Sequence, residues 1–265
     1  MTLRLAVTVK VVPKPEEVEL DEETMTLDRE SADSQFNPAD KNALEMALSV
    51  ADGVEDAEVY VVSMGPPFFE SFLQDAIAMG ADDAVLLSDP AFAGADTYPT
   101  SRVLASGIEK LGAVDVVFSG EESADSSTGQ VPPGIAEWLD VSQVTYANSV
   151  AITDDRLEAE RSVKGGVETV RVPLPSVVSV EYGVNDPRFP DFAAKRRAER
   201  EWEATVWDQA DLDLPEEALG DEGSRTTVMG LETVDAPDRR QEWIEGSTDE
   251  QGAELATIVM DEMEG

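Results

Sequence analysis

The stretch VDVVFSGEESADSSTGQVPPGIAEWL, Val114 to Leu139, contains a strand, a polar loop and a helix in direct succession. Val114–Phe118 is a short, Val-rich apolar run of the kind that a fully buried parallel strand requires. Ser119–Thr128 is polar, and a helix is predicted from about Gln130 to Leu139. The same strand–loop–helix unit recurs upstream. Leu3–Val12 is a Val- and Leu-rich strand, followed by an acidic connector, Pro13–Phe36. Asn37 and Pro38 supply an N-cap and a first-turn proline for a helix with Ala43, Leu44, Met46 and Ala47 on its inner face. Ala57–Met64 is a second strand, ended by Gly65-Pro66-Pro67. Phe68–Met79 is helical with Gly80 as C-cap, Asp83–Leu87 is a strand, and Ser101–Leu111 is a helix closed by Gly112. A chain that alternates in this way builds a mainly parallel sheet with helices on both faces.

Downstream the pattern changes. Arg156–Val163 and Val167–Leu174 alternate around Lys164-Gly165-Gly166, a β-hairpin signal. Ser176–Tyr182 is another strand. Asn185–Phe192, with two prolines and two aromatics, is loop or turn, and Lys195–Arg200 is a basic cluster. Beyond Trp207 the chain is acidic and weakly periodic, with a short final helix predicted around Gln251–Met263. Trp202 and Trp207 either anchor this segment on a partner or pack on their own core. The runs Asp21-Glu22-Glu23 and Glu216-Glu217 are expected to be solvated. The organisation expected is an α/β domain over residues 1–200, including a loop at 183–200, and an acidic arm over 201–265.

Composition removes several chemistries. The 265 residues include no Cys and no His. Disulfides, thiol nucleophiles, Cys-ligated clusters, imidazole bases and His-ligated zinc or haem are therefore excluded. No metal site is expected. With 57 Asp and Glu against 19 Lys and Arg, the formal charge is −38, which disfavours binding to a nucleic-acid backbone. The acids run along the whole chain, within helices such as Ala39–Val50 as well, and only six of the bases are Lys. That pattern points to a halophile surface working in concentrated salt, where screening weakens self-repulsion. No apolar run approaches the length of a membrane span, and Leu3–Val12 carries Arg4 and Lys10, unlike a signal peptide. A cytoplasmic location is expected.

In a doubly wound sheet, ligands bind beyond the carboxyl ends of the strands, where helix N-termini offer N–H groups. Thr8–Val12, Asn37–Asp40, Ser63–Pro67 and Ser119–Val131 occupy such ends. In the last, Gly120 permits a sharp exit from the strand. Ser123, Ser126, Ser127 and Thr128 supply hydroxyls, and Gly129 and Gln130 open the helix. Such a loop can wrap a phosphate without lysine; the alternative is an ordinary polar connector with a cap. G-x-x-x-x-G-K-[ST] is absent, as is an early G-x-G-x-x-G, so an ATP-consuming ligase is disfavoured. Ser119–Ser123 shares only part of the SGGxDS loop of ATP pyrophosphatases and follows the fourth strand instead of the first.

Taken together, these segments resemble the electron transfer flavoprotein beta subunit. Asn37-Pro38-Ala39-Asp40 with Ala43-Leu44-Glu45 is similar to its NPxDxxALE element. Val62–Pro66 and Ala76–Asp82 match its S-M-G-P and A-x-A-M-G-A-D segments. DPAFAGADTYPTS at Asp89–Ser101 and GEESADSSTGQVPPGIAE at Gly120–Glu137 continue the match. Lys164–Thr169 resembles its GGxET hairpin, and Asn185–Phe189 its N-E-P-R-Y stretch. The resemblance runs from Leu3 to Arg200.

The resemblance implies a Rossmann-like fold of the adenine-nucleotide alpha-hydrolase type, with a hairpin and a C-terminal arm packing on the partner subunit. It implies an electron carrier rather than a stand-alone enzyme, paired with an alpha subunit and sharing a redox-active FAD with it. The beta subunit's own nucleotide, AMP or a second FAD, is placed by this resemblance at Thr8, Asn37, Pro38, Ala39, Asp40 and Met64. The same site takes in Ser123, Ala124, Asp125, Ser126, Ser127, Thr128, Gly129, Gln130 and Val131. Ala91–Thr97 and Thr128–Val131 are closer to the bifurcating, Fix-type branch, which favours FAD and puts Asp96, Thr97 and Thr100 near it. The alternative for Asp96 and Thr97 is a plain helix start. The family's GxQAxDGDT loop is altered here: Glu122 stands for Gln, and Ser126-Ser127 stand for Gly-Asp. Phe192, with Lys195, Arg196 and Arg197, corresponds to the partner-docking loop. The implied partners are an acyl-CoA or other dehydrogenase and a membrane quinone oxidoreductase or a ferredoxin- or flavodoxin-type acceptor. A homodimeric nucleotide-binding regulatory module without a redox role is the alternative function.

Overall fold

The computed structural model describes residues 2–14, 19–21, 26–28, 33–227, 229 and 243–264. Glu22 and Glu23 of the first acidic run lie outside them. In chain order the strands are β1 (Leu3–Val9), β2 (Val11–Pro13), β3 (Glu19–Asp21), β4 (Thr26–Asp28), β5 (Ser34–Phe36), β6 (Ala57–Met64) and β7 (Asp83–Leu87), followed by β8 (Val116–Gly120), β9 (Ser142–Thr153), β10 (Arg156–Val163), β11 (Gly166–Pro173), β12 (Ser176–Val180) and β13 (Thr205–Trp207). The helices are α1 (Pro38–Asp52), α2 (Glu70–Met79), α3 (Thr97–Leu111), α4 (Val131–Leu139), α5 (Phe192–Glu201), α6 (Gln209–Leu212), α7 (Gly220–Gly223) and α8 (Thr248–Glu264).

Nine strands form one sheet in the order β11-β10-β9-β12-β8-β1-β6-β7-β13. From β9 to β13 every pairing is parallel, and β10 and β11 extend the sheet as an antiparallel hairpin. The expected Rossmann-like, mainly parallel α/β fold is what the chain adopts. Alternation along β1 divides the core: Leu5, Val7 and Val9 pack with α1 and α2, whereas Ala6 packs with α3 and α4 on the other face. The chain runs from β1 outward through β6 to β7 and then returns to place β8 on the opposite side of β1. That reversal opens a crevice at the carboxyl ends of β1 and β8.

The structure differs from the sequence reading in several elements, among them short strands β3, β4 and β5 within the acidic connector and helices α5, α6 and α7. The first strand ends at Val9 because the Lys10 N–H turns to Asp40 Oδ2 at 2.7 Å, and β2 leaves the sheet to pair with β5. Helix α3 begins at Thr97, not Ser101, since the Asp96 carboxylate accepts from Tyr98 N–H, which is the helix start given as the alternative for Asp96 and Thr97. Strand β9 was not anticipated: its half-polar face hides the alternation, and Tyr146 takes a left-handed conformation, φ 58°, inside it. Strand β13 is also additional and pairs with β7, so Trp207 and Trp202 pack on their own chain, the latter donating to Asp83 at 3.0 Å.

Residues up to Met229 make one unit and those from Gly230 a second. In the second, α8 starts where Glu250 accepts from both the N–H and the hydroxyl of Ser247. Leu255, Val259 and Met260 are exposed along it.

Candidate functional site

Three chain segments meet at the crevice, and the side chains of Asn37, just before α1, and of Asp40, within it, join them. Asp40 is buried; its Oδ2 accepts from Lys10 N–H at 2.7 Å and its Oδ1 from Gly120 N–H at 3.1 Å. It thereby ties the end of β1 to the end of β8. Asn37 does not cap its own helix. Its amide instead donates to Glu122 C=O and accepts from Ala124 N–H, both at 3.0 Å. These bonds hold the loop after β8 against the start of α1.

Gly120 is required by this contact: a Cβ there would lie 2.7 Å from the Ala39 carbonyl carbon and press on Asp40. The floor of the crevice is a buried hydroxyl pair, Thr8 Oγ1 to Ser119 Oγ at 2.8 Å. At its edge Lys10 Nζ reaches the Asp125 carboxylate at 2.6 and 2.8 Å and Ser123 Oγ at 3.4 Å. Ser63, at the end of β6, is fully buried and its hydroxyl has no partner among the described residues.

Beyond Asp125 the loop curls. Ser127 N–H returns to Ser123 C=O at 2.8 Å, and Ser127 and Gly129 are left-handed, with φ of 46° and 62°. Gln130 is right-handed again. A left-handed residue followed by a right-handed one, as at Gly129 and Gln130, can turn neighbouring N–H groups toward one side, an arrangement that can hold an anion. Among the described residues, the N–H groups of Thr128, Gly129 and Gln130 donate to no protein acceptor. Gln130 Oε1 accepts from Thr97 Oγ1 at 2.9 Å, so the start of α3 closes one side.

Burial dominates the electrostatics of Asp40, pushing its pKa up to about 7 against hydrogen bonds from Asn37, Lys10 and Gly120. Asp96 behaves in the opposite way. Burial raises it, but donors at Tyr98, Thr226 and Arg225 together hold it below the usual carboxylate range.

The anticipated rim residues Thr8, Asn37, Ala39, Asp40 and Ser123–Asp125 thus come together, with Pro38 opening α1 and Val131 opening α4. Ser126 Oγ contacts Asp125, Thr128 is exposed and Met64 is half-buried at the end of β6. Thr97 joins the rim through Gln130. Thr100 N–H bonds to Asp96 C=O in the first turn of α3, and the Asp96 carboxylate faces the chain segment at Arg225 and Thr226. Lys10, Ser63 and Ser119 fall within the strand-end segments Thr8–Val12, Ser63–Pro67 and Ser119–Val131 but are not named individually as site residues in the sequence reading.

A separate group surrounds α5. Phe192 begins this helix and is 75% exposed, Arg196 lies over its ring at 5.9 Å, and Arg197 is exposed. Lys195 bonds to Asp75 of α2 at 2.7 Å. Among the described residues, no group of three or more acidic side chains could hold a metal ion, and no helix is long and apolar enough to cross a membrane.

Comparison with known proteins gives a consistent picture. Residues 24–212 match the electron transfer flavoprotein domain. The chain is 42% identical over 231 residues to an electron transfer flavoprotein subunit beta of Thermoanaerobacterium thermosaccharolyticum, covering 87% of this chain and 88% of the relative. It is 41% identical to the caffeyl-CoA reductase-Etf complex subunit CarD of Acetobacterium woodii, over 86% of each. It is also 37% identical to protein FixA of Azotobacter vinelandii, over 90% of this chain and 87% of that one.

Proposed function

The chain belongs to the electron transfer flavoprotein family, and from that membership we propose that it is the beta half of an alpha–beta heterodimer that carries electrons between dehydrogenases and a further acceptor. Its work is placement. The observation that carries this reading is the rim built by Asn37 and Asp40, next to a loop whose N–H groups at Thr128–Gln130 have no acceptor among the described residues. Those features fit the phosphate end of an adenine nucleotide. The unpartnered Ser63 hydroxyl and the close approach at Gly120 also suit a ligand laid against the strand ends.

The redox-active FAD shared with the alpha subunit supplies reversible electron acceptance when bound. In the beta site we favour a second FAD over AMP. Ala91–Thr97, whose sequence is of the Fix type, adjoins the loop through the Thr97–Gln130 bond, and CarD and FixA are among the relatives. Asp96 would act there by holding residues 225–226 beside the loop. Without His or Cys, the chain's side chains bind and orient; none needs to move a proton.

Phe192, rimmed by Arg196 and Arg197, would dock in an apolar pocket of a dehydrogenase, acyl-CoA-specific or other. The exposed Leu255, Val259 and Met260 of α8 suit packing of the last part of the 201–265 arm on the alpha subunit. A membrane quinone oxidoreductase or a ferredoxin- or flavodoxin-type protein would take the electrons. The regulatory-module alternative accounts for the sheet, but neither for the β10–β11 hairpin nor for the loop before α5.

Co-expression with an alpha subunit, followed by flavin counting per heterodimer, tests the proposal. Two flavins are expected. One flavin together with AMP would replace the second FAD by AMP, and a colourless, nucleotide-free pair would overturn the reading.

A further inference from the structure

The loop between β12 and α5 is held at both ends, and two exposed aromatic rings lie between the holds. Helix α1 makes the first hold. Asn42, buried, accepts from Gly183 N–H at 3.1 Å and donates to the carbonyl and side-chain oxygens of Asn185 at 2.8 and 2.7 Å. Asn185 donates back to Asn42 C=O at 3.0 Å. One turn further on, Glu45 accepts from Arg188 Nε, Nη2 and N–H, each at 2.9 Å, while Nη2 also reaches Asp52 at 2.9 Å. Helix α2 makes the second hold, through Asp191 N–H to Ala78 C=O at 3.1 Å and through the Lys195–Asp75 pair.

Phe189 follows Arg188 directly and is 94% exposed. A phenyl ring left in water is unfavourable, and a free loop would fold it back on the chain. Here the ring stands out in solvent beside Arg188, which is fixed through its backbone and its side chain together. A bidentate guanidinium–carboxylate pair is directional, so it sets an orientation as well as supplying attraction. Arg196 lies over the Phe192 ring at 5.9 Å and Arg197 next to it is exposed, which suits a pocket rimmed by carboxylates.

We propose that Glu45 is a positioning residue which, through Arg188, holds Phe189 out as a second docking anchor beside Phe192, for an apolar, carboxylate-rimmed pocket on the partner dehydrogenase. This rests on the docking role given above to the loop. It also assigns a double role to α1: the first turn fixes the nucleotide rim through Asn37 and Asp40, and later turns fix the docking loop. The two sites therefore share one rigid element.

The test uses the heterodimer with its flavin, an acyl-CoA dehydrogenase with its acyl-CoA as donor, and a redox dye as terminal acceptor. Phe189→Ala, Arg188→Lys and Glu45→Gln are each expected to raise KM for the dehydrogenase about tenfold, as a lost interface anchor does. Flavin content and kcat should stay unchanged, and Arg188→Lys should add nothing to Phe189→Ala. If Phe192→Ala raises KM while Phe189→Ala and Arg188→Lys do not, the proposal is overturned and the docking role of the loop stands. If all four variants leave KM unchanged, or the wild-type pair does not turn over, the docking role falls with it. Should Glu45→Gln lose flavin or solubility, Arg188→Lys, on the more exposed side of the pair, decides the question.

Discussion

Asp40 is the residue on which the rim depends, and its protonation can be followed. A free aspartate titrates near 3.8, and burial pushes Asp40 up to about 7. Between those values the folded chain holds a proton that the unfolded chain has released. Asp40's contribution to stability is therefore full below the unfolded value and is lost as pH rises through about 7. The stability difference between wild type and Asp40→Asn should fall with rising pH, at up to ~1.4 kcal/mol per pH unit in mid-window. Denaturant titrations across the window read this directly, and a flat difference would contradict it. Gly120 carries a second prediction at this scale. A methyl group there meets the Ala39 backbone and Asp40, so Gly120→Ala should cost roughly 1–3 kcal/mol, the usual range for overpacking. It should also lower nucleotide retention, measured by extracting the purified pair.

At the level of elements, helix starts do more than begin helices. Asp96 caps α3 and also binds the N–H groups of Arg225 and Thr226 at 2.7 and 2.8 Å. Asp96→Ala should cost about 1 kcal/mol as a lost cap. Amide exchange at residues 224–227 should speed up while α4 stays protected; unchanged exchange there would show that the segment is held by other contacts. Helix α5 offers the simpler docking test. Phe192→Ala should weaken electron transfer to the partner and leave flavin content intact, because its ring supports no core packing. The parallel strands and their helices were legible because the buried strands are rich in Val and Leu and their helices have a proline or glycine at a boundary. Strand β9 was not, because its exposed face is polar and Tyr146 breaks the period. Strand β13 is three residues long, too short for any periodic signal, and is held by pairing with β7. The rim followed from strand ends and resemblance. The hold on Arg188 did not, because Glu45 and Arg188 lie far apart in the sequence and nothing local links them.

For the whole molecule, the charge sets the conditions under which the fold is comfortable. There are 57 acids and 19 bases, so even if every base found a partner, most carboxylates would face only one another. Exposed ion pairs contribute at most about 1 kcal/mol each, and salt weakens those as it weakens repulsion. The two effects are unequal because the unpaired acids outnumber the pairs. Part-buried holds such as Glu45–Arg188 and Lys10–Asp125 are screened less. At ~0.1 M salt the screening length is about 10 Å, enough for neighbouring carboxylates to repel, and near 1 M it falls to about 3 Å. We therefore expect Tm to climb steadily from ~0.1 M KCl into the multimolar range, where screening is nearly complete. Sodium chloride should act similarly if screening is the cause. Equal melting at low and multimolar KCl would mean that the acidic surface carries no net repulsion, and the adaptation to concentrated salt would be refuted.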